Sequence, residues 1–417
     1  MSDQMARKKS NHSFPKWVFT AAVFFPLAIN SVPGMAGDFV SLENEEIKDV
    51  TARDPGGHWT PSTLMNAQLL EVPIPSISLP EMEAQLGGSE LEAMPSGPTV
   101  SVDGMNIPES EEVTPDPNDR LFPEINLEVM NRESEEGMGS GTAPDIFAQS
   151  AGGSEITPED VGTAKAYFSS SRLVPTNARV FYPYRTNGKL FFQIPGKGNF
   201  ICSAAVLRPR LILTAGHCVH KGSGGSSGFY KKFLFVPAYH NGSAPYQAWN
   251  WRWVITTGAW ASGNGNVPNK ADFAIIQLED RKFGSQIKKI GQVTGWLGYR
   301  TNALLPNHTK KIGYPGNFDN GQIMHQVDSQ YYKKGGQNTV LYGSDMRGGS
   351  SGGAWIENFG VKAAGQTGGL KPWPNRIVGV TSYGYVAVGP KVQGSSVLNR
   401  SFLRILNTAC AHRAGNC

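Results

Sequence analysis

Three short stretches of this chain carry residues of the types that transfer protons and attack carbonyls. The first is LILTAGHCVH, residues 211–220, in which His217 and Cys218 follow an apolar run. Alone, the pair reads equally as a buried thiol beside a core histidine, as two metal ligands, or as an imidazole held for catalysis. A catalytic imidazole needs a nucleophile to activate and an acid to orient it. RGGSSGGAW, residues 347–355, offers the nucleophile. Ser351 stands among glycines that let the backbone turn sharply and approach a substrate closely. The N–H groups of Gly349 and Ser351 are free there to face a developing oxyanion. The bland reading of such a run is a flexible loop. Against it, Asp345 precedes the run and Ala354-Trp355-Ile356 follows, as in an ordered turn entering a strand. The acid must come from few candidates, since residues 166–417 hold only seven carboxylates. Asp272 heads DFAIIQL, whose apolar run implies burial, and a buried Asp needs partners to stay charged. An imidazolium at His217 would be one. The alternative is an Asp that merely starts a strand.

The elements that must hold these residues read as strands. Short apolar or aromatic runs recur between Gly, Pro and Asn clusters from about residue 178: ARVFYPY, KLFFQI, FICSAAVL, LILTAG, KKFLFVPAY, WRWVITT, DFAIIQL and RIVGVTSYG. One late segment, Asn399–Ala409, has helical spacing, with Phe402, Ile405 and Leu406 on one side. Many strands and one helix predict an all-β architecture of two barrels or sandwiches.

Charge divides the chain. Residues 37–165 carry 26 acids against 5 bases, and residues 166–417 carry 29 bases against 7 acids. Before them, Arg7, Lys8, Lys9 and Lys16 flank the apolar run WVFTAAVFFPLAI, followed by small residues at Gly34 and Ala36. That pattern predicts an export signal over residues 1–36, cleaved after Ala36. The run is too short for a membrane anchor. The acidic block, rich in Glu, Pro, Gly and Ser with no sustained period, predicts a disordered pro-region over 37–165. The domain that does the chemistry then spans 166–417.

Export bears on Cys202, Cys218, Cys410 and Cys417. Outside the cytosol an even count points to disulfides, and of three pairings the local ones, Cys202–Cys218 and Cys410–Cys417, are simplest. The first would fix the backbone beside His217. Zinc through Cys202, Cys218 and His220 fits no common spacing, and no metal or cofactor is expected.

TAGHC with a cysteine 15 residues before its histidine, DFAIIQL and GGSSGG, in that order, resemble the trypsin/chymotrypsin-like serine peptidases. The form DMRGGSSGGAW looks most like the bacterial and fungal branch that includes the glutamyl endopeptidases. The resemblance covers roughly residues 172–410. It implies two six-stranded antiparallel β-barrels, a C-terminal helix, and a site between the barrels. By motif match His217 is the general base, Asp272 its orienter and Ser351 the nucleophile. Asp345 lies at the floor of the primary specificity pocket, and Thr381, Ser382 and Gly384 of TSYG line the substrate strand. Two departures stand out. Ser350 replaces the Asp that pairs with a new N-terminus in trypsin-like zymogens. Thr381 stands where the glutamyl branch has His, which favours Lys or Arg over Glu before the cut.

These readings predict a secreted, monomeric serine endopeptidase acting on polypeptides and shielded by its own acidic pro-region. The rivals are a protease-fold binding protein without activity and a surface adhesin whose acidic arm does the work. No groove-reading or base-stacking motif accompanies the basic block, so nucleic acid is not an expected partner. Asn241, Asn307 and Asn399 lie in N-x-[ST] sequons, which matter only in a glycosylating host.

Overall fold

The computed structural model describes residues 37–45, 57–86, 98–127, 166–361, 372–385 and 391–417. The expected signal lies outside them. Three strands come from the acidic block: β1 (Phe39–Glu43), β2 (Gln68–Leu69) and β3 (Ser101–Val102). Then follow β4 (Phe168–Arg172), β5 (Asn187–Ile194), β6 (Gly198–Arg208), β7 (Leu211–Thr214), β8 (Lys231–Pro237), β9 (Trp249–Thr257) and β10 (Ala274–Leu278). A small hairpin, β11 (Arg281–Phe283) with β12 (Gln286–Lys288), leads to β13 (Gly298–Arg300), β14 (His308–Gly313), β15 (His325–Gly336) and β16 (Thr339–Gly343). The last four are β17 (Ala354–Glu357), β18 (Arg376–Val380), β19 (Tyr383–Tyr385) and β20 (Val392–Ser396).

The first sheet closes on itself. The ladder runs β9-β10-β7-β6-β5-β8, and β8 pairs back onto β9, giving a six-stranded barrel. Closure buries every residue of β7 and β10, as their continuous aliphatic runs demand. The second sheet runs β19-β20-β16-β15-β14-β17-β18-β13-β3, with β4 added on β15. Within it β18 approaches β20 through side chains, where Val380 N donates to Ser395 Oγ at 3.0 Å.

A C-terminal helix, Arg400–His412, buries Phe402, Ile405, Leu406 and Ala409. That is the expected helix, extended by three residues. Asn399 caps it by accepting from Ser401 N at 2.9 Å. Phe402 meets Phe273, the residue after Asp272, edge-on at 6.0 Å.

Two expectations fail. The run ARVFYPY, 178–184, is not a strand. It falls in two 3₁₀ turns, Thr176–Val180 and Tyr184–Thr186, because Pro175 and Pro183 offer no N–H to a ladder and the intervening bonds are local. Disorder across the acidic block also fails for residues 37–45, 57–86 and 98–127. Here β1 takes the edge of β9 left free by β8, β2 runs parallel to β6, and β3 extends β13. Isolated apolar residues act as plugs: Trp59, Leu64, Val72, Met82, Ile107 and Phe122 are all buried. Such single anchors have no period, so composition hides them. No helix among the described residues is long and apolar enough to cross a membrane.

Candidate active site

His217 lies in a single 3₁₀ turn, Gly216–Cys218, directly after β7. Its Nδ1 is 2.8 Å from Asp272 Oδ2, and its backbone N–H donates to Asp272 Oδ1 at 2.8 Å. Asp272 is completely buried. Ser382 Oγ donates to Asp272 Oδ2 at 2.6 Å. Three hydrogen bonds therefore satisfy the oxygens of this buried carboxylate. Asp272 N donates to Ser396 Oγ at 3.0 Å, so the second sheet also fixes its backbone. Trp260 stands edge-on to the imidazole at 6.0 Å. Gly216 is required by close approach, since a Cβ there would lie 2.8 Å from Trp260 Cγ and 2.9 Å from Asp272 Oδ1.

Cys202 and Cys218 are bonded, with Cα atoms 6.2 Å apart, and tie β6 to the histidine turn. Their sulfurs and the His217 ring nitrogen lie within 4.8 Å of one another, but bridged sulfurs are not thiolate ligands. Both ring nitrogens of His220 are engaged, one by Gly225 O and one by Gly222 N. The zinc alternative thus loses its ligands. Cys410 and Cys417 are also bonded and staple the C-terminus.

Ser351 sits in the turn between β16 and β17. Gly349 and Gly352 have φ of 89° and 77°, a region closed to other residues without strain. A Cβ on Gly352 would also collide with Thr214 Oγ1. Ser203 ties this turn to the barrel. Its N–H donates to Ser351 O at 2.7 Å and its Oγ donates to Gly349 O at 2.9 Å. Because Ser203 adjoins the bridged Cys202, the turns of His217 and Ser351 share one rigid support. Sequence reasoning missed Ser203; its position beside Cys202 was the available signal. Two buried polar atoms here have no hydrogen-bond partner: His217 Nε2 and Ser351 Oγ.

The other expected residues are distributed as follows. Ser350 Oγ donates to Arg347 O and accepts from Gln393 Nε2, so the position of the zymogen Asp is satisfied locally. Asp345 has a buried Oδ1 without a partner. Burial raises its pKa, with a hydrogen bond from Ser170 of β4 as the first opposing cause. Thr381 Oγ1 accepts from Trp355 Nε1 at 2.9 Å. Ser382, expected to line a substrate strand, donates its hydroxyl hydrogen bond to Asp272. Gly384 N donates to Pro73 O of the acidic block at 3.1 Å.

The family model described as Trypsin matches residues 183–396, just over half of the chain. The chain belongs to the trypsin family. Within that family it is similar to the glutamyl endopeptidase of Bacillus licheniformis, 29% identical over 207 residues, which are 46% of this chain and 57% of that protein. A second relative is an extracellular metalloprotease of Bacillus subtilis, 26% identical over 121 residues, or 29% of this chain and 34% of that one. The chain thus spans about half or less of the curated relatives it matches. Among solved structures, the thermostable serine protease AL20 from an extremophilic microorganism is 26% identical, with a TM-score of 0.46 over 57% of this chain and 100% of that one.

Proposed function

We propose that this trypsin-family chain is a secreted serine endopeptidase made as a pre-pro-protein. Ser351 Oγ attacks a peptide carbonyl. His217 Nε2 takes its proton and returns it to the leaving amine, while Asp272 keeps Nδ1 protonated and stabilises the imidazolium. The N–H groups of Gly349 and Ser351 bind the oxyanion, and water then hydrolyses the acyl-enzyme. One observation carries the reading: His217 is oriented by a buried carboxylate while its Nε2 and Ser351 Oγ are left unpaired. Each unpaired buried group costs about 1–3 kcal/mol, a cost that a structural role would not explain. The strands β20-β16-β15-β14-β17-β18 are read as the second barrel, closed where Val380 meets Ser395. Secretion is supported by two disulfides and by the extracellular relative.

Preference for Lys or Arg before the cut is supported by Asp345, whose unpaired carboxylate oxygen would gain a cationic partner. Thr381 is a neutral hydroxyl and brings no positive charge to pair with a Glu side chain. The test is labelling of the matured protein with a fluorophosphonate. Ser351 is expected to be modified, and Ser351→Ala to abolish labelling and peptide hydrolysis with the fold unchanged. An unlabelled parent refutes the enzyme. Cleavage after Glu in a peptide library would refute the specificity alone.

A further inference from the structure

Residues 68–73 of the acidic block, QLLEVP, cross the candidate active site as an extended strand. Gln68 and Leu69 pair with Phe200 and Ile201 of β6 in parallel. Leu70 N donates to Ile201 O at 3.2 Å. Leu70 O then accepts from Gly349 N at 3.0 Å, the amide assigned above to the oxyanion. Three residues later Pro73 O accepts from Gly384 N. The side chains seat as firmly. A Cβ on Gly316 would collide with Leu69 Cδ1, Leu69 also lies against Gly349, and Val72 is buried beside Gly384. The strand is anchored at both ends. Upstream, Trp59 Nε1 donates to Lys232 O at 2.8 Å on the barrel. Downstream, Met82 is buried in a cluster with Tyr383 of the second sheet.

The polarity of this strand decides what it does. The N-terminal end of β6 lies beside the His217 turn, because Cys202 is bonded to Cys218. Residues 68–69, the acyl half of any cut after Leu70, lie against that end. Glu71 to Pro73, the amine half, run away from it toward Gly384. A leaving amine must depart where the imidazole can protonate it, so this arrangement presents the peptide bond backwards. We propose that residues 68–73 are a built-in inhibitor that fills the oxyanion position and the substrate strand with reversed polarity, and so block the site without being cut. The proposal rests on the peptidase reading of Ser351 and His217, and it names the autoinhibitory partner of that site.

The test uses the full, unprocessed chain with Leu69→Asp, and Leu69→Ala as a milder variant should the first misfold. Two quantities are read: the rate of fluorophosphonate labelling at Ser351, and amide hydrogen exchange at Gly349 and Gly384. The parent precursor is expected to label at least 100-fold more slowly than the processed protein. The variants should recover most of that loss and free both amides, while the barrel amides stay protected. The Leu70–Glu71 bond should stay intact in the parent by mass spectrometry. A precursor that labels as fast as the processed protein, equal exchange of the two amides in parent and variant, or unimolecular cleavage after Leu70 would each overturn the proposal. If no form labels yet the variants still free the two amides, the peptidase reading falls while the docked strand stands.

Discussion

Ser382 illustrates how much a single hydroxyl can matter at this site. Its proton is directed at the same Asp272 oxygen that faces His217 Nδ1. It touches no reacting atom in the proposed mechanism, so it is a positioning residue. A hydrogen bond to a charged group contributes about 1.5–3 kcal/mol. Ser382→Ala is therefore expected to lower kcat by about 10- to 100-fold with little change in KM, since in the proposed mechanism the hydroxyl acts through Asp272 and not on the substrate. The check is steady-state kinetics on a peptide substrate, with the kcat–pH profile alongside. A change confined to KM would reassign the hydroxyl to substrate contact.

At the scale of elements, β5 shows a cost carried within the barrel. Its burial is continuous from Asn187 to Phe192, which puts Lys189 inside at 1% exposure. The ammonium lies over the rings of Phe191 and Tyr239, at 5.1 and 4.5 Å. Cation–π contact offsets only part of the lost hydration, and burial lowers the lysine pKa from 10.5 to about 7. The folded form thus releases its proton near pH 7, while the unfolded chain keeps it to about pH 10.5. Between those values the unfolded state binds more protons, so stability rises with pH, and the gain is lost as pH falls to 7. The span corresponds to something on the order of 5 kcal/mol. Lys189→Met should flatten this profile and raise stability at pH 7. Urea unfolding of disulfide-intact protein between pH 7 and 10, in a Ser351→Ala background to prevent self-digestion, reads both. Parallel profiles for parent and variant would refute the assignment.

Over the whole molecule, the division of charge has a structural counterpart. Acids of residues 37–127 meet bases of the body: Glu112 with Arg185, Asp38 with Arg404, Glu43 with Arg252, and Asp103 with Arg376. At least one partner of each pair is open to solvent, so each contributes about 0–1 kcal/mol. Apolar plugs such as Trp59 and Phe122 supply the rest of the docking. Raising salt from about 10 mM to about 1 M shortens the screening length from about 30 Å to about 3 Å. The Ser351→Ala precursor is then expected to be cleaved within residues 37–127 by an added protease several-fold faster at high salt. An unchanged rate would mean that the plugs alone hold the segment.

The sequence by itself determined whatever has a local signature. TAGHC, DFAIIQL and GGSSGG singled out His217, Asp272 and Ser351 as candidates, and the turns of His217 and Ser351 leave a local trace because Gly216 and Gly352 are constrained by contact and φ. The barrel strands were legible where burial on both faces makes an unbroken apolar run, as in β7 and β10. The C-terminal helix was legible from its 3.6-residue period. Only the tertiary structure decided what depends on distant partners. The polar strands β14 and β15 are held by neighbouring strands and carry no apolar run. Ser203 and Ser382 gain their roles from residues 148 and 110 positions away, Ser351 and Asp272 respectively. The acidic block looked disordered because its anchors are single residues without a period. A surface that already exists gives each plug a site, and the free edges of β6 and β9 give its backbone partners. Neither that surface nor those edges can be read from the segment alone, because both are made by residues more than a hundred positions further along the chain.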